Sequence, residues 1–463
     1  AFVILIAILE QIVVPNRTLG YLFVFFTIAV YAIIGVLSRT AQVSEYYVAG
    51  RRVPAFYNGM ATGADWMSAA SFVGMAGTLF LLGYDGLAWV LGWTGGYVLV
   101  SVLVGPYLRK FGAYTVPDFM SFRFGGNFAR FLAVIVLVAC SFTYVTAQIY
   151  GTGLIASRFL GMQFEIAVFA GLVGILVCSM LGGMRAVTWT QVAQYIVLII
   201  AYLTTIVILS TAKYGLPIPQ LTYGQAIADI TAREQQMVSA GLATVANLKP
   251  HIQPFINYTP LNFFAIIMCM MVGTASLPHI LMRYFTTPSV REARQSVAWS
   301  LLFIFLLYFS APAYAAFSKL EVYTNIIGRD LTSIRPWLFN WGELGLIQIC
   351  GKNASSIDAV IAACKAIAGH PGVVRLQDFV INTDVIVLST PEIAGLPYVI
   401  SGLVAAGGLA AALSTADGLL LAIANALSHD VYYKMIYPNA PTVRRLMIAR
   451  VLLLVVAVVA AAT

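Results

Sequence analysis

The sequence predicts an all-α integral membrane protein, a bundle of transmembrane helices, and three observations predict it. The chain of 463 residues is 60% hydrophobic and only 10% charged, against about 25% charged in a soluble domain. Apolar runs of about 20 residues, enough to cross a hydrocarbon core of about 30 Å, recur along its whole length. Lipid offers no partner to backbone polar groups, so such runs must be helices, and the alternating polar and apolar pattern of a membrane barrel is absent.

Complete spans are read at 19–38, 54–80, 85–106, 129–157, 164–183, 187–211, 259–281, 296–317, 395–427 and 445–462. Residues 1–14 read as the end of a further helix, and the last span runs to Thr463, so both chain ends read as truncated. The net charge of +8 does not point to nucleic acid, because the basic residues alternate with the spans. Arg39, Arg51 and Arg52 fall in one loop, then Arg109, Lys110 and Arg123, then Arg185, then Arg283, Arg291 and Arg294, then Lys434, Arg444 and Arg445. Every second loop is basic, as the positive-inside rule requires of the cytoplasmic face of a multi-pass plasma-membrane (inner-membrane) protein. The opposite loops are short or, at 212–258 and 318–394, long with both signs mixed.

Cys140, Cys178 and Cys269 lie in apolar spans, where cysteine acts as a small hydrophobe. Cys350 and Cys364 share the second outer loop and can pair if that face is oxidising. The histidines, 251, 279, 370 and 429, are scattered. Neither a metal-binding spacing nor a set of nucleophile, base and oxyanion donors is visible, so an enzyme is not expected.

Two spans are interrupted at matching places. Counting core helices from 54–80, core helix one contains Ala61-Thr62-Gly63-Ala64-Asp65-Trp66-Met67-Ser68. Five spans later, core helix six contains Gly273-Thr274-Ala275-Ser276-Leu277-Pro278. Proline removes a helix hydrogen bond and clashes with the preceding turn. Paired interruptions in two halves point to an inverted-repeat transporter with its site at the midplane, where unwound carbonyls face a cation and half-helix N-termini face an anionic group. A channel needs no such pair. Small residues also serve close helix packing, which suffices for Gly77 and Gly105 but leaves Asp65 unexplained.

Asp65 and Asp417 are the carboxylates deep within complete core spans. An ionised carboxylate there costs about 2.5–3.5 kcal/mol or more, so each is a candidate functional group. Asp417 ends the stretch Leu413-Ser414-Thr415-Ala416-Asp417 in core helix eight, whose two hydroxyls can supply oxygen to a hard cation. Taken alone, Ser414 and Thr415 would simply bond one turn back; beside the break in helix one they read as an ion site. Tyr144, Thr146 and Gln148 form a polar patch in core helix three, and Gln191 sits in core helix five, where it serves as helix–helix glue or as a site residue.

The stretch Ala64-Asp65-Trp66-Met67-Ser68-Ala69-Ala70-Ser71-Phe72-Val73-Gly74 resembles the first core helix of the sodium:solute symporter family. The loop 108–119, from Leu108 through Lys110-Phe111-Gly112-Ala113-Tyr114 to Phe119, is similar to that family too. Leu277-Pro278-His279, the following Arg291-Glu292-Ala293-Arg294, Pro391-Glu392-Ile393 and Ala405-Ala406-Gly407-Gly408 look like its cation/acetate branch. The resemblance spans residues 19 to 463. It implies a LeuT-type inverted-repeat bundle with an extra N-terminal helix at 19–38, core helix ten lying beyond the chain given. It also implies a sodium site at Ala64 and Met67 of helix one with Ala411, Ser414 and Thr415 of helix eight. Substrate is expected between the two breaks, at Ser71, Tyr144, Gln148, Thr274 and Ser276. Relatives with a further sodium site carry an Asp in helix five in a Trp-Thr-Asp setting; here the setting is Trp189-Thr190-Gln191, while Asp417 is new in helix eight. A second cation or proton site is therefore expected among Asp417, Asp65 and Gln191.

The function expected is sodium-coupled symport of a short monocarboxylate such as acetate across the lipid bilayer, with sodium as the bound ion. A proton-coupled carrier of another solute, and a membrane sensor joined to a cytoplasmic or small membrane partner, are the alternatives.

Overall fold

The computed structural model describes residues 2–12 and 14–463; the side chains of Arg17 and Cys178 lie outside the description, and with them the reading of Cys178 as a small hydrophobe. Helices α1 (Phe2–Gln11) and α2 (Asn16–Leu37) precede the core. After a short α3 (Val43–Val48), core helix one comes in two pieces. α4 (Ala55–Trp66) ends where Met67 takes a ψ of 67°, and a wide turn over 70–74 leads into α5 (Met75–Leu82). Core helix two is α6 (Leu87–Leu99) continued by α7 (Gly105–Phe111); α8 (Val116–Phe124) lies in the following basic loop, and α9 (Gly126–Leu160) is core helix three.

α10 (Phe164–Tyr214) joins core helices four and five through Gly183, whose φ of 54° suits glycine. A Cβ there would sit 2.5 Å from the Tyr46 carbonyl oxygen, so α3 packs directly against the corner. The first long outer loop folds into α11 (Pro219–Ser239). Core helix six is α12 (Pro260–Ala275) and α13 (Pro278–Met282), bent by 43°. Pro278 lacks an N–H and pushes Leu277 to an extended ψ of 116°, which is why the helix breaks there. α14 (Val290–Tyr308) and α15 (Ala311–Asn325) form core helix seven, interrupted just before Pro312.

The second outer loop contains α16 (Trp337–Glu343), β1 (Ile347–Ile349), β2 (Lys352–Asn353), α17 (Ile357–Lys365), β3 (Phe379–Ile381) and α18 (Ile386–Ile393). Its small antiparallel sheet, ordered β2-β1-β3 with Ile347 opposite Ile381, departs from a purely helical reading. These strands lie between the apolar helices and not within one, and Ile347, Ile349 and Ile381 turn one face inward. Cys350 and Cys364 are disulfide-bonded, tying the turn after β1 to α17.

α19 (Tyr398–Asn425) is core helix eight and α20 (Thr442–Ala462) core helix nine. α19 is built mainly of small and apolar residues and is almost wholly buried, the mark of a central helix; α10 and α9 pack along it. Among the described residues seven helical stretches are long and apolar enough to cross a membrane, eight with the bent pair. The break in core helix one explains part of why this is fewer than the spans read from sequence: α4, of 12 residues, is too short to qualify alone.

The basic face is stitched by its own charges. Arg109 donates to the Thr287 and Pro288 carbonyls (2.7 and 2.6 Å), and Arg185 pairs with Glu45 at 2.8 Å. Asp118 on α8 meets Arg130 at 2.9 Å, and Thr115 donates to Asp430 at 2.6 Å, so this loop is clamped to the end of core helix eight.

Candidate functional site

The break in core helix one faces the middle of α19. A helix C-terminus leaves its last carbonyls without donors, and here Ala69 N–H, the natural partner of the Asp65 carbonyl, donates instead to Gln148 Oε1 at 2.9 Å. The freed oxygens meet the helix-eight hydroxyls. Ser414 Oγ lies 2.8 Å from the Ala64 carbonyl and 2.9 Å from that of Ala411. Thr415 Oγ1 lies 3.0 Å from the Asp65 carbonyl and 3.3 Å from that of Ala411. Five oxygens from two helices thus gather in a buried place, at the negative end of the α4 dipole. Of the sequence-predicted set, Ala64, Ala411, Ser414 and Thr415 are brought together. Met67 ends α4, its N–H bonding to Gly63 at 2.9 Å, and the Asp65 carbonyl takes the place beside Thr415.

The Asp65 carboxylate turns elsewhere. It is fully buried, and Arg283 Nε reaches its Oδ2 at 2.6 Å. Gln191 Nε2 donates to Asp65 Oδ1 at 2.6 Å and to the Ser414 carbonyl at 2.7 Å. Arg283 also donates to Thr188 Oγ1 at 2.9 Å and to Gln191 Oε1. The sequence reading put Arg283 in a cytoplasmic loop; the structure corrects this, since Arg283 is 0% exposed in the second half of core helix six. The signal was present: Arg283 follows Pro278 by little more than a helical turn. Gly418 admits this arrangement, because a Cβ there would stand 2.5 Å from Asp65 Oδ1. Asp417, also buried, accepts from Ser179.

Three of the expected substrate residues surround the same break. Ser71 Oγ meets Tyr308 Oη at 2.9 Å and the Trp66 carbonyl at 3.3 Å. Gln148 holds Ala69 through its oxygen, while its buried Nε2 has no hydrogen-bond partner among the described residues. Tyr144 lies one turn before Gln148, its ring centroid 5.8 Å from that of His279. His279, 2% exposed, has neither ring nitrogen hydrogen-bonded among the described residues; the sequence reading passed over it as one of four scattered histidines. Thr274 and Ser276 are not brought to this cluster. Their hydroxyls bond back to Met270 and Val272 of their own helix at 2.5 and 2.9 Å, and Ser276 is exposed. A cavity of 170 Å³ lies against the break, lined by Ala69, Ala70, Gln148, Gly151 and, from the outer loop, Asp384.

Comparison with known proteins agrees with this architecture. A Na+-coupled sialic acid symporter, solved substrate-bound and outward-open, superposes with a TM-score of 0.70 at 16% identity, covering 96% of this chain and 79% of that one. That likeness gives the fold, a LeuT-like helix bundle. An uncharacterized symporter of Cupriavidus necator is 43% identical, the match covering 99% of this chain and 79% of that protein. The family model of the sodium:solute symporters matches residues 46–330 and 357–463. The protein is therefore a multi-pass transporter of the plasma membrane and not an enzyme, and it belongs to the sodium:solute symporter family.

Proposed function

We propose that this transporter couples one sodium ion, held by the oxygen cluster between core helices one and eight, to uptake of a short monocarboxylate by alternating access. The observation that carries the sodium assignment is the meeting of the Ala64 and Asp65 carbonyls with Ser414 and Thr415. An all-oxygen, neutral ligand set suits a hard monovalent cation and disfavours soft metals. The ion would rejoin the two halves of the site, since α4 ends in the carbonyls it needs while α19 supplies the hydroxyls.

For the solute, the supporting observation is the cavity beside the break. Its 170 Å³ falls below the ~300–1,000 Å³ of pockets for drug-sized ligands, which favours a molecule of few atoms. Gln148 lines this cavity, and its unpartnered Nε2 donor can bond a carboxylate. Acetate is the simplest such solute.

The test is uptake into proteoliposomes with and without an inward sodium gradient, against radiolabelled monocarboxylates and amino acids. Gradient-dependent accumulation of a monocarboxylate supports the reading. Accumulation of amino acids alone removes the solute assignment, and accumulation indifferent to sodium removes the ion.

A second reading, proton coupling, has one observation in its favour. Asp417 is buried with Ser179 as its one hydrogen-bonding side chain, and no cationic group stands within ion-pair distance among the described residues. A buried ionisable residue within a span, without an ion partner, is the kind of group that proton relays are built from.

A further inference from the structure

The guanidinium of Arg283 occupies a place that is otherwise built for a cation. Around it stand Asp65 Oδ2 at 2.6 Å, Thr188 Oγ1 at 2.9 Å and Gln191 Oε1, three oxygens contributed by core helices one and five. Arg283 itself comes from core helix six, and Gln191 Nε2 extends the group to the Ser414 carbonyl of core helix eight at 2.7 Å. Every member is buried. The group shares Asp65 and Ser414 with the oxygen cluster proposed above for sodium, so the two places adjoin.

We infer that Arg283 is a resident cation standing where a second metal ion would otherwise bind, so that the transporter couples to a single sodium; this rests on the sodium reading of the neighbouring cluster. Both oxygens of Asp65 are already engaged, one by the guanidinium and one by the Gln191 amide. The Ser414 carbonyl is capped by the same amide. A metal needs acceptors, and here the acceptors face N–H donors. Arginine stays protonated under all working conditions, so unlike a bound ion this charge neither leaves nor exchanges during the cycle. Removing the guanidinium while keeping Asp65, Thr188 and Gln191 would leave three converging oxygens, one of them ionised, which is a donor set for a hard cation.

The experiment counts sodium without needing the solute. Equilibrium binding of radiosodium to the purified full chain is measured for the wild type, Arg283→Gln, Arg283→Lys and the double variant Asp65→Asn/Arg283→Gln. The expected result is one ion per chain in the wild type and two in Arg283→Gln, a doubling. Arg283→Lys keeps one ion because it keeps the charge, and the double variant returns to one because the carboxylate is gone. Two ions in the wild type, or one ion in a folded Arg283→Gln, overturns the inference. If Arg283→Gln does not fold, Arg283→Met replaces it in the same binding measurement, with two ions expected and one ion overturning the inference. Absence of sodium binding in every folded form would remove the sodium reading itself, a different outcome from a count of two.

Discussion

Ser414→Ala probes the proposed sodium cluster at its centre. The Ser414 hydroxyl lies 2.8 Å from the Ala64 carbonyl and 2.9 Å from that of Ala411. When sodium enters, the oxygen turns a lone pair to the ion, an interaction with a charge worth about 1.5–3 kcal/mol. The empty site loses something as well. Without the hydroxyl, the Ala64 carbonyl, at a helix end and buried, is left without its donor, which raises the empty state by about 1 kcal/mol. The difference is about 0.5–2 kcal/mol of sodium affinity, a fall of ~2–30-fold. The assay is the sodium dependence of solute uptake at fixed solute, paired with direct radiosodium binding. The half-saturating sodium concentration should rise by that factor while the rate at saturating sodium changes less. Thr415→Val, which removes a hydroxyl at nearly constant shape, should act in the same direction. The double variant should be non-additive, because both hydroxyls lean on Ala411. A folded Ser414→Ala protein whose sodium dependence moves by less than about twofold would refute the reasoning, since that is below the smallest effect a lost ligand allows.

Other perturbations reach other parts of the molecule. Asp417→Asn should leave the sodium count unchanged and flatten any pH dependence of uptake; an unaltered pH profile removes the proton-carrying role. Gly77→Ala should loosen the outer loop from core helix one, because the new Cβ would stand 2.0 Å from the Thr383 backbone oxygen; faster hydrogen exchange at 383–385 checks this. Cys350→Ser opens the link to Cys364, fourteen residues away, and should cost the outer subdomain about 3 kcal/mol, read from local hydrogen exchange. Acid should weaken the same subdomain. Burial opposes the charge of Asp378, but hydrogen bonds from Arg375 and His370 outweigh it and hold its carboxyl below the ordinary range. A depressed folded-state value contributes stability above the unfolded value, near pH ~4, that is lost as pH falls through the folded one. Asp378→Asn should reduce that acid-dependent loss in an unfolding titration; an unchanged titration would remove Asp378 as its origin.

The two helix breaks were legible because they are written in local chemistry: glycine, hydroxyls and a carboxylate in one apolar run, glycine, hydroxyls and proline in the other. Ser414 and Thr415 were legible for the same reason, as paired hydroxyls amid small residues. What the hydroxyls do was not. Thr274 and Ser276 looked equivalent to Ser71, yet they bond back to their own turn while Ser71 reaches Tyr308. Back-bonding is available to any helical hydroxyl, so residue type alone does not decide between the two. His279 was passed over because its isolation in sequence carries no sign of burial beside Tyr144.

By itself the sequence determined the solvent, the helical class, the basic face and the two interrupted helices, since each follows from hydropathy and from residues whose backbone preferences act locally. Only the tertiary structure decided the partners of the buried charges. Asp65 and Arg283 are far apart in the chain and meet at 2.6 Å, and Arg283 counted as one more loop charge until packing drew it inward. A buried carboxylate seeks whatever cation the fold brings within reach. For Asp65 that cation is a guanidinium from the second broken helix, leaving its main-chain carbonyl, rather than its carboxylate, to face Thr415.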